Sequence, residues 1–400
     1  MKKICIDLRP LQIGHQNRGI GMYLKSVLEH LPDGNEYIFY CFEKSNPIKE
    51  MDINPPVDYT IITTPTVNTV VDSPKNLLNA LKLIFHRFGA LKSARPDVFI
   101  QPDFALGLPK WRKTNNIVIG YDLIPLIYKH DYMPSIRFAL SHTPGKRAKI
   151  KSAVRSIYYK FKYRASYSVF KKADYIACIS ESTKQTFQGI LGIDKNKLAS
   201  IPLAPVLPAE ESDKSILGSI TKPYIFYIGG TDSRKSIQDV VYAFNIARGR
   251  GLDIQLVLAG NEFNSSDTIP SVVVREAING SPYKQDILTL GFVSNTQKIA
   301  LYQSALAFVF TTLYEGFGLP VVEAMSLSCP VISYSNSSIP EAAGKAGLLV
   351  PTGDYVAVAE KILELYAMSG EQKERVILAG KKQAVKFSWD SYTTRLQELF

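Results

Sequence analysis

Two carboxylates eight positions apart, Glu315 and Glu323, bracket the segment Tyr314-Glu315-Gly316-Phe317-Gly318-Leu319-Pro320-Val321-Val322-Glu323. Gly316 and Gly318 let the backbone approach a ligand closely, because no Cβ intervenes. Leu319, Val322, Met325 and Ser326 follow at helical spacing. A helix opening near Leu319 offers free N–H groups that bind an anion or sugar oxygens. Glu323, in the second turn, could accept two hydrogen bonds from a vicinal diol, with Glu315 on the other side of the bound group. An ordinary helix start carries the same residues equally well, with Glu323 complementing the helix dipole and Glu315 in water.

Other segments add groups of matching chemistry. In Ile228-Gly229-Gly230-Thr231-Asp232-Ser233-Arg234-Lys235-Ser236, two adjacent cations stand beside a Gly-rich turn, as a diphosphate requires. Ser236 and Asp239 are spaced as a helix capping box. The glycine spacing is neither that of a P-loop nor that of a dinucleotide fingerprint, which disfavours a nicotinamide-dependent dehydrogenase. Taken alone, the segment also suits a solvated loop with a surface Arg-Lys pair. Arg18-Gly19-Ile20-Gly21 opens a helix after the first strand and could frame an anion or acceptor there, although a plain turn explains a lone Gly-x-Gly as well. Tyr121-Asp122 closes an apolar run, where site residues collect in α/β folds; an Asp there also caps turns.

The elements that must position these groups are legible as apolar runs alternating with helical patterns. In the first half the runs are Ile4–Asp7, Tyr37–Phe42, Tyr59–Thr63, Val98–Gln101, Ile117–Asp122 and Tyr175–Ser180. In the second half they are Tyr224–Gly229, Ile254–Gly260, Ile287–Gly291, Leu306–Thr311, Val331–Tyr334 and Leu348–Val350. Continuous Val/Ile/Leu/Phe runs separated by helices predict parallel strands buried on both faces. A chain of 400 residues exceeds one comfortable core, so two doubly wound α/β domains are expected. Their boundary falls in the Pro-rich stretch Ile201–Pro208, giving domains 1–203 and 204–385 and a C-terminal helix, 386–400, packing back on the first domain.

Composition limits the function classes. The hydrophobic content of 46% fits a soluble globular protein. Asp7 and Arg9 interrupt the first apolar run too early for a secretory signal, and no run approaches membrane-spanning length. Cys5, Cys41, Cys178 and Cys329 are scattered among apolar neighbours, which predicts buried free thiols in a reducing cytoplasm. The net charge of +11 is uneven: residues 1–200 hold 30 Lys and Arg against 16 Asp and Glu, a balance of +14, and residues 201–400 hold 17 against 20, a balance of −3. Within the basic half, Lys146–Lys172 carries ten Lys and Arg, no acid, and interleaved aromatics, and Asn76–Lys92 is similar. Such helices suit an anionic membrane surface; packing on the sheet with the charged side in water is the plainer alternative. No nucleic-acid module is recognisable, so nucleic acid is not expected as a partner.

Together these segments resemble glycosyltransferase family 4, the retaining nucleotide-sugar enzymes with two facing Rossmann-like doubly wound domains, the GT-B fold. The resemblance is carried by Leu290-Gly291-Phe292-Val293, Tyr314–Met325, Cys329-Pro330-Val331-Ile332, Ser337–Gly344, Ala173-Asp174-Tyr175-Ile176 and Arg18–Gly21. It implies a C-terminal nucleotide-sugar domain and an N-terminal acceptor domain. By resemblance, Glu315 lies by the donor sugar, with Gly316, Phe317, Gly318 and Leu319 offering backbone groups. Glu323 holds the ribose, Gly229 and Gly230 line the donor turn, and Arg234 and Lys235 neutralise the departing diphosphate. Arg18, Gly19, Ile20, Gly21, Tyr121 and Asp122 face the acceptor or a phosphate, with Asp122 counted as catalytic beside Glu315, Arg234 and Lys235. No cofactor and no metal are implied, because cations and a helix N-terminus stabilise the leaving group. Retention is ascribed to front-face attack by the acceptor hydroxyl; a covalent glycosyl-enzyme is the other route to it.

The chain departs from the family at two positions: many members carry His at the position of Tyr121 and Arg at that of Gly230. Its Arg-Gly-Ile-Gly and Asp-Leu-Ile-Pro segments resemble mannosyltransferases, which makes GDP-mannose the expected donor. A lipid-linked or oligosaccharide acceptor in surface glycan synthesis follows, at the cytoplasmic face of the cell membrane. The competing functions are a glycoside hydrolase with paired carboxylates and a non-catalytic adaptor at the membrane surface.

Overall fold

The computed structural model describes residues 1–13, 19–43, 45–66, 88–111, 113–132, 145–206, 211–264 and 269–400. It divides into two compact units: unit 1 is Met1–Pro202 with Trp389–Phe400, and unit 2 is Leu203–Ser388.

Unit 1 is built on β1 (Lys3–Asp7), β2 (Glu36–Phe42), β3 (Tyr59–Thr64), β4 (Val98–Gln101), β5 (Asn115–Gly120), β6 (Tyr175–Cys178) and β7 (Leu198–Ser200). Their order is β3-β2-β1-β4-β5-β6-β7, and every recorded pairing is parallel. Strand β7 has no signal in the sequence: Leu-Ala-Ser is too short and too weakly apolar to register as a run. Among the described residues before the unit boundary, the helices of five residues or more are α1 (Gly19–Glu29), α2 (Lys146–Lys172) and α3 (Glu181–Leu191). The end of α2 enters the core, where Phe170 meets Phe187 of α3 edge to face at 4.7 Å. Of the predicted basic helix Asn76–Lys92, residues 76–87 lie outside the described residues; Phe88 is buried against Phe99.

Unit 2 repeats the plan. Strands β8 (Tyr224–Ile228), β9 (Gln255–Ala259), β10 (Ile287–Thr289), β11 (Ala307–Phe310), β12 (Val331–Tyr334) and β13 (Leu348–Val350) lie in the order β10-β9-β8-β11-β12-β13. These pairings are also parallel. Among the described residues the α-helices are α4 (Ile237–Gly249), α5 (Val272–Asn279), α6 (Asn295–Ser304), α7 (Leu319–Ser326), α8 (Ile339–Ala343), α9 (Tyr355–Ala367) and α10 (Gly370–Ala384). The chain order reverses at the β8–β11 pair, and doubly wound sheets bind ligands beyond the strand ends at such a switch point.

The last helix, α11 (Trp389–Gln397), belongs to unit 1. Its Tyr392 hydroxyl donates to that of Tyr23 on α1 at 2.9 Å, and Asn115 Nδ2 donates to the Leu399 carbonyl at 2.7 Å. All four cysteines are free and buried.

Candidate functional site

The switch point of unit 2 collects the charged residues. The loop after β8 turns at Gly229, where φ is +152°. Gly260, at the end of β9, packs so closely that a Cβ there would stand 2.1 Å from the Gly229 carbonyl oxygen. Asp232 accepts from the Arg234 amide. The Leu313 amide donates to the Arg234 carbonyl at 2.7 Å, and the Thr311 hydroxyl to that of Ser236 at 2.8 Å, so the loops after β8 and β11 are tied together. The predicted capping box at Ser236 does not form. Ser236 adopts a left-handed conformation (φ +47°), and its side chain accepts no backbone amide of the helix. Its hydroxyl instead donates to the buried Asp239 carboxylate, which also receives the Tyr334 hydroxyl.

This tie sets both cations against Glu315. Arg234 Nη1 lies 2.8 Å and Lys235 Nζ 2.5 Å from Glu315 Oε1, and the Thr312 hydroxyl donates to the same oxygen at 2.9 Å. Glu315 is therefore not the solvated carboxylate of an ordinary loop. No hydrogen bond reaches Oε2 among the described residues. Burial pushes the Glu315 carboxyl up, but the Lys235 and Arg234 charges and these hydrogen bonds outweigh it and hold it below the usual range. The loop after β12 fixes the backbone: Ser337 Oγ accepts from the Glu315 amide and Ser338 Oγ donates to its carbonyl.

The chain then enters α7 through Gly318, whose φ is +100°. Among the described residues, no acceptor reaches the amides of Phe317, Gly318 and Leu319. Three successive donors at a helix start form a site for an anion or for hydroxyls. Glu323 faces a partner the sequence did not reveal: Lys298 of α6 donates to its Oε2 at 3.1 Å. Burial raises the Glu323 carboxyl, and Lys298 opposes that rise without cancelling it. Glu262 accepts from both the amide and the hydroxyl of Thr231 at 2.5 Å. It also flanks Gly230, where a Cβ would meet Glu262 Oε2 at an ordinary 3.5 Å.

The candidates in unit 1 behave differently. Strand β5 stops at Gly120, so Asp122 stands two residues beyond it, not at its end. Asp122 Oδ1 accepts from the Ile124 amide at 2.9 Å and caps the following turn. Tyr121 packs edge-on against Tyr23 at 5.6 Å, with its hydroxyl buried. Gly19 and Ile20 open α1 and Gly21 is buried within it; a Cβ at Gly19 would meet nothing within 4 Å. Arg18 lies outside the described residues. Among the described residues, no group of three or more His, Cys, Asp or Glu could hold a metal ion.

Comparison with known proteins matches residues 209–383 to the family described as glycosyl transferases group 1. The matched residues make up most of unit 2. Its cation–glutamate cluster and α7 both fall inside the matched residues. The chain is 33% identical over 173 residues to O-antigen chain mannosyltransferase B of Escherichia coli, covering 43% of this chain and 44% of that protein. It is 25% identical over 288 residues to the serotype-specific mannosyltransferase WbdA of Escherichia coli, covering 68% of this chain and 32% of that protein. The chain thus spans less than half the length of these relatives. Sucrose-phosphate synthase from Thermosynechococcus elongatus has the same fold, with a TM-score of 0.69 at 17% identity, covering 100% of this chain and 98% of its own. Together with the two parallel sheets, that likeness identifies the fold class as GT-B.

Proposed function

We propose that this chain is a retaining glycosyltransferase that moves a hexose from a nucleotide sugar to a lipid-linked or oligosaccharide acceptor in surface glycan synthesis. Mannose from GDP-mannose is the donor group best supported, because the similar proteins include two named as mannosyltransferases. The observation that carries the proposal is the triad at the switch point of unit 2: Arg234 and Lys235 both on Glu315 Oε1, ahead of three unclaimed amides at the start of α7.

Each group has work to do in such a transfer. The bond from the anomeric carbon to the diphosphate oxygen breaks, and the leaving diphosphate keeps the electron pair. Arg234 and Lys235 neutralise the charge that develops there, so no metal is needed. Glu315 Oε2 would accept from a sugar hydroxyl while Oε1 keeps both cations aimed. Glu323 Oε1 would accept from the ribose diol, its Oε2 being held by Lys298. The acceptor oxygen bonds to the anomeric carbon on the face the diphosphate leaves, and its proton passes to the departing diphosphate oxygen. Tyr121, Asp122 and the Arg18–Gly21 segment belong, on this proposal, to the acceptor side in unit 1.

A glycoside hydrolase has one observation in its favour: Glu315 is held below and Glu323 above the usual range, the split a hydrolase acid and nucleophile use. The two cations on Glu315 and the group 1 match favour transfer. Mass and anomeric analysis of products from a panel of nucleotide sugars with an oligosaccharide acceptor separates the two. A glycoside lengthened with retained configuration supports transfer, whereas free sugar released from a simple glycoside without nucleotide supports hydrolysis.

A further inference from the structure

We infer that the solvent face of α2 is a docking surface for an anionic lipid bilayer, with an apolar stripe of Ile150, Val154, Ile157 and Phe161 entering the headgroup region. These side chains are 65%, 52%, 54% and 47% exposed. Their spacing of four, three and four residues stacks them on one face, within roughly 60° at about 100° per residue. Isolated exposed apolar residues are ordinary, but an aligned row over three helical turns is not.

The rest of α2 is already committed. Its C-terminal half supplies Tyr167, Val169 and Phe170 to the core of unit 1, where Phe104 stacks on Tyr167 at 5.2 Å. The helix is thus anchored at one end and presents its exposed row from the other. Charge selects the occupant. The 27-residue helix carries ten Lys and Arg and no acid, in a half of the chain with a balance of +14. Lys149 and Lys160 are exposed and lie along one edge of the row by helical geometry. A basic helix with an apolar row pairs with anionic headgroups above acyl chains, where lysines lie at the phosphate level. Nucleic acid would use the lysines but gain nothing from the row. None of the described helices is long and apolar enough to cross a bilayer, so the contact is peripheral. The inference extends the proposed lipid-linked acceptor to a surface but is independent of the donor site.

Flotation with phosphatidylglycerol–phosphatidylcholine vesicles tests it, on the full chain and at low and physiological salt. The wild-type chain is expected to float with anionic vesicles and not with pure phosphatidylcholine. Ile150→Ser, Val154→Ser, Ile157→Ser and Phe161→Ser together should lower partitioning about tenfold or more, with circular dichroism and nucleotide affinity unchanged. Lys149→Gln with Lys160→Gln should weaken binding and flatten its salt dependence. No flotation at low salt, or flotation untouched by the four serines, overturns the inference. So does a wild-type dimer that the four serines dissociate, or an oligonucleotide that binds as tightly with the serines as without.

Discussion

Glu315→Gln isolates the charge at the centre of the site. The amide keeps an oxygen where Oε1 now accepts from Arg234, Lys235 and Thr312, but it removes the negative charge. Bonds from the two cations fall from the charge-assisted class, about 1.5–3 kcal/mol each, towards the neutral class, about 0.5–1.5 kcal/mol each. The side chains of Arg234, Lys235 and Glu315 are only 14%, 13% and 12% exposed, so solvent screens little of this, and the two cations are left repelling each other. A destabilisation of about 3 kcal/mol follows, which for a unit of this size lowers Tm by roughly 6–12 °C. A nucleoside diphosphate should restore much of it, because it supplies the missing charge. Binding in the variant no longer competes with Glu315 for the cations, so GDP should bind as tightly or up to about tenfold more tightly, while turnover falls for want of the sugar contact. The pH dependence has a definite sign. The depressed Glu315 carboxyl stabilises the wild type above the ordinary glutamate range, and this is lost as pH falls through its lowered value, so the two proteins should converge in acid. Differential scanning fluorimetry with and without GDP, beside calorimetric binding, reads all of this. A Tm within about 2 °C of wild type, together with weaker GDP binding, would refute the charge argument.

Three further outcomes are expected. Glu323→Ala should weaken nucleotide binding about tenfold, the value of one or two diol hydrogen bonds, with turnover at saturating donor largely kept; unchanged calorimetric affinity would remove its ribose role. Because burial raises the Glu323 carboxyl, donor affinity should fall on acidification at a higher pH than an ordinary glutamate allows, and Lys298→Met should move that fall higher still; a Lys298→Met profile superimposing on wild type contradicts the ion pair's influence. Gly260→Ala would drive a Cβ into the Gly229 carbonyl and should cost about 3–5 kcal/mol or prevent folding, read as Tm and soluble yield; a normal melt would refute that close packing.

Local information was legible in the sequence and long-range pairing was not. Runs such as Tyr37–Phe42 and Val331–Tyr334 announced buried parallel strands, because both faces must be apolar. Glu315, Arg234 and Lys235 were each recognisable by type and loop position. That the three share one oxygen depends on β8 and β11 being neighbours, a topological fact that joins residues about 80 apart. Lys298 is illegible in the sequence for the same reason: it reaches Glu323 across 25 residues of chain, and nothing near it but the Ser294–Gln297 capping box marks its helix. Ser236 misled because its spacing to Asp239 fits a capping box, while the Tyr334 hydroxyl and a left-handed backbone give both residues other work. Asp122 reads as a strand end in the sequence because Tyr121 extends the apolar run, but the ladder stops at Gly120, two residues earlier.

Acceptor-dependent release of nucleoside diphosphate, measured for the wild type and for Arg234→Ala with Lys235→Ala over a panel of nucleotide sugars, bears most directly on the central claim. The proposal predicts release by the wild type, fastest with GDP-mannose, and a loss of at least about a hundredfold in the double variant, the cost of removing the charges that meet the leaving group. Equal release by both proteins, or none by the wild type with any donor, would contradict it.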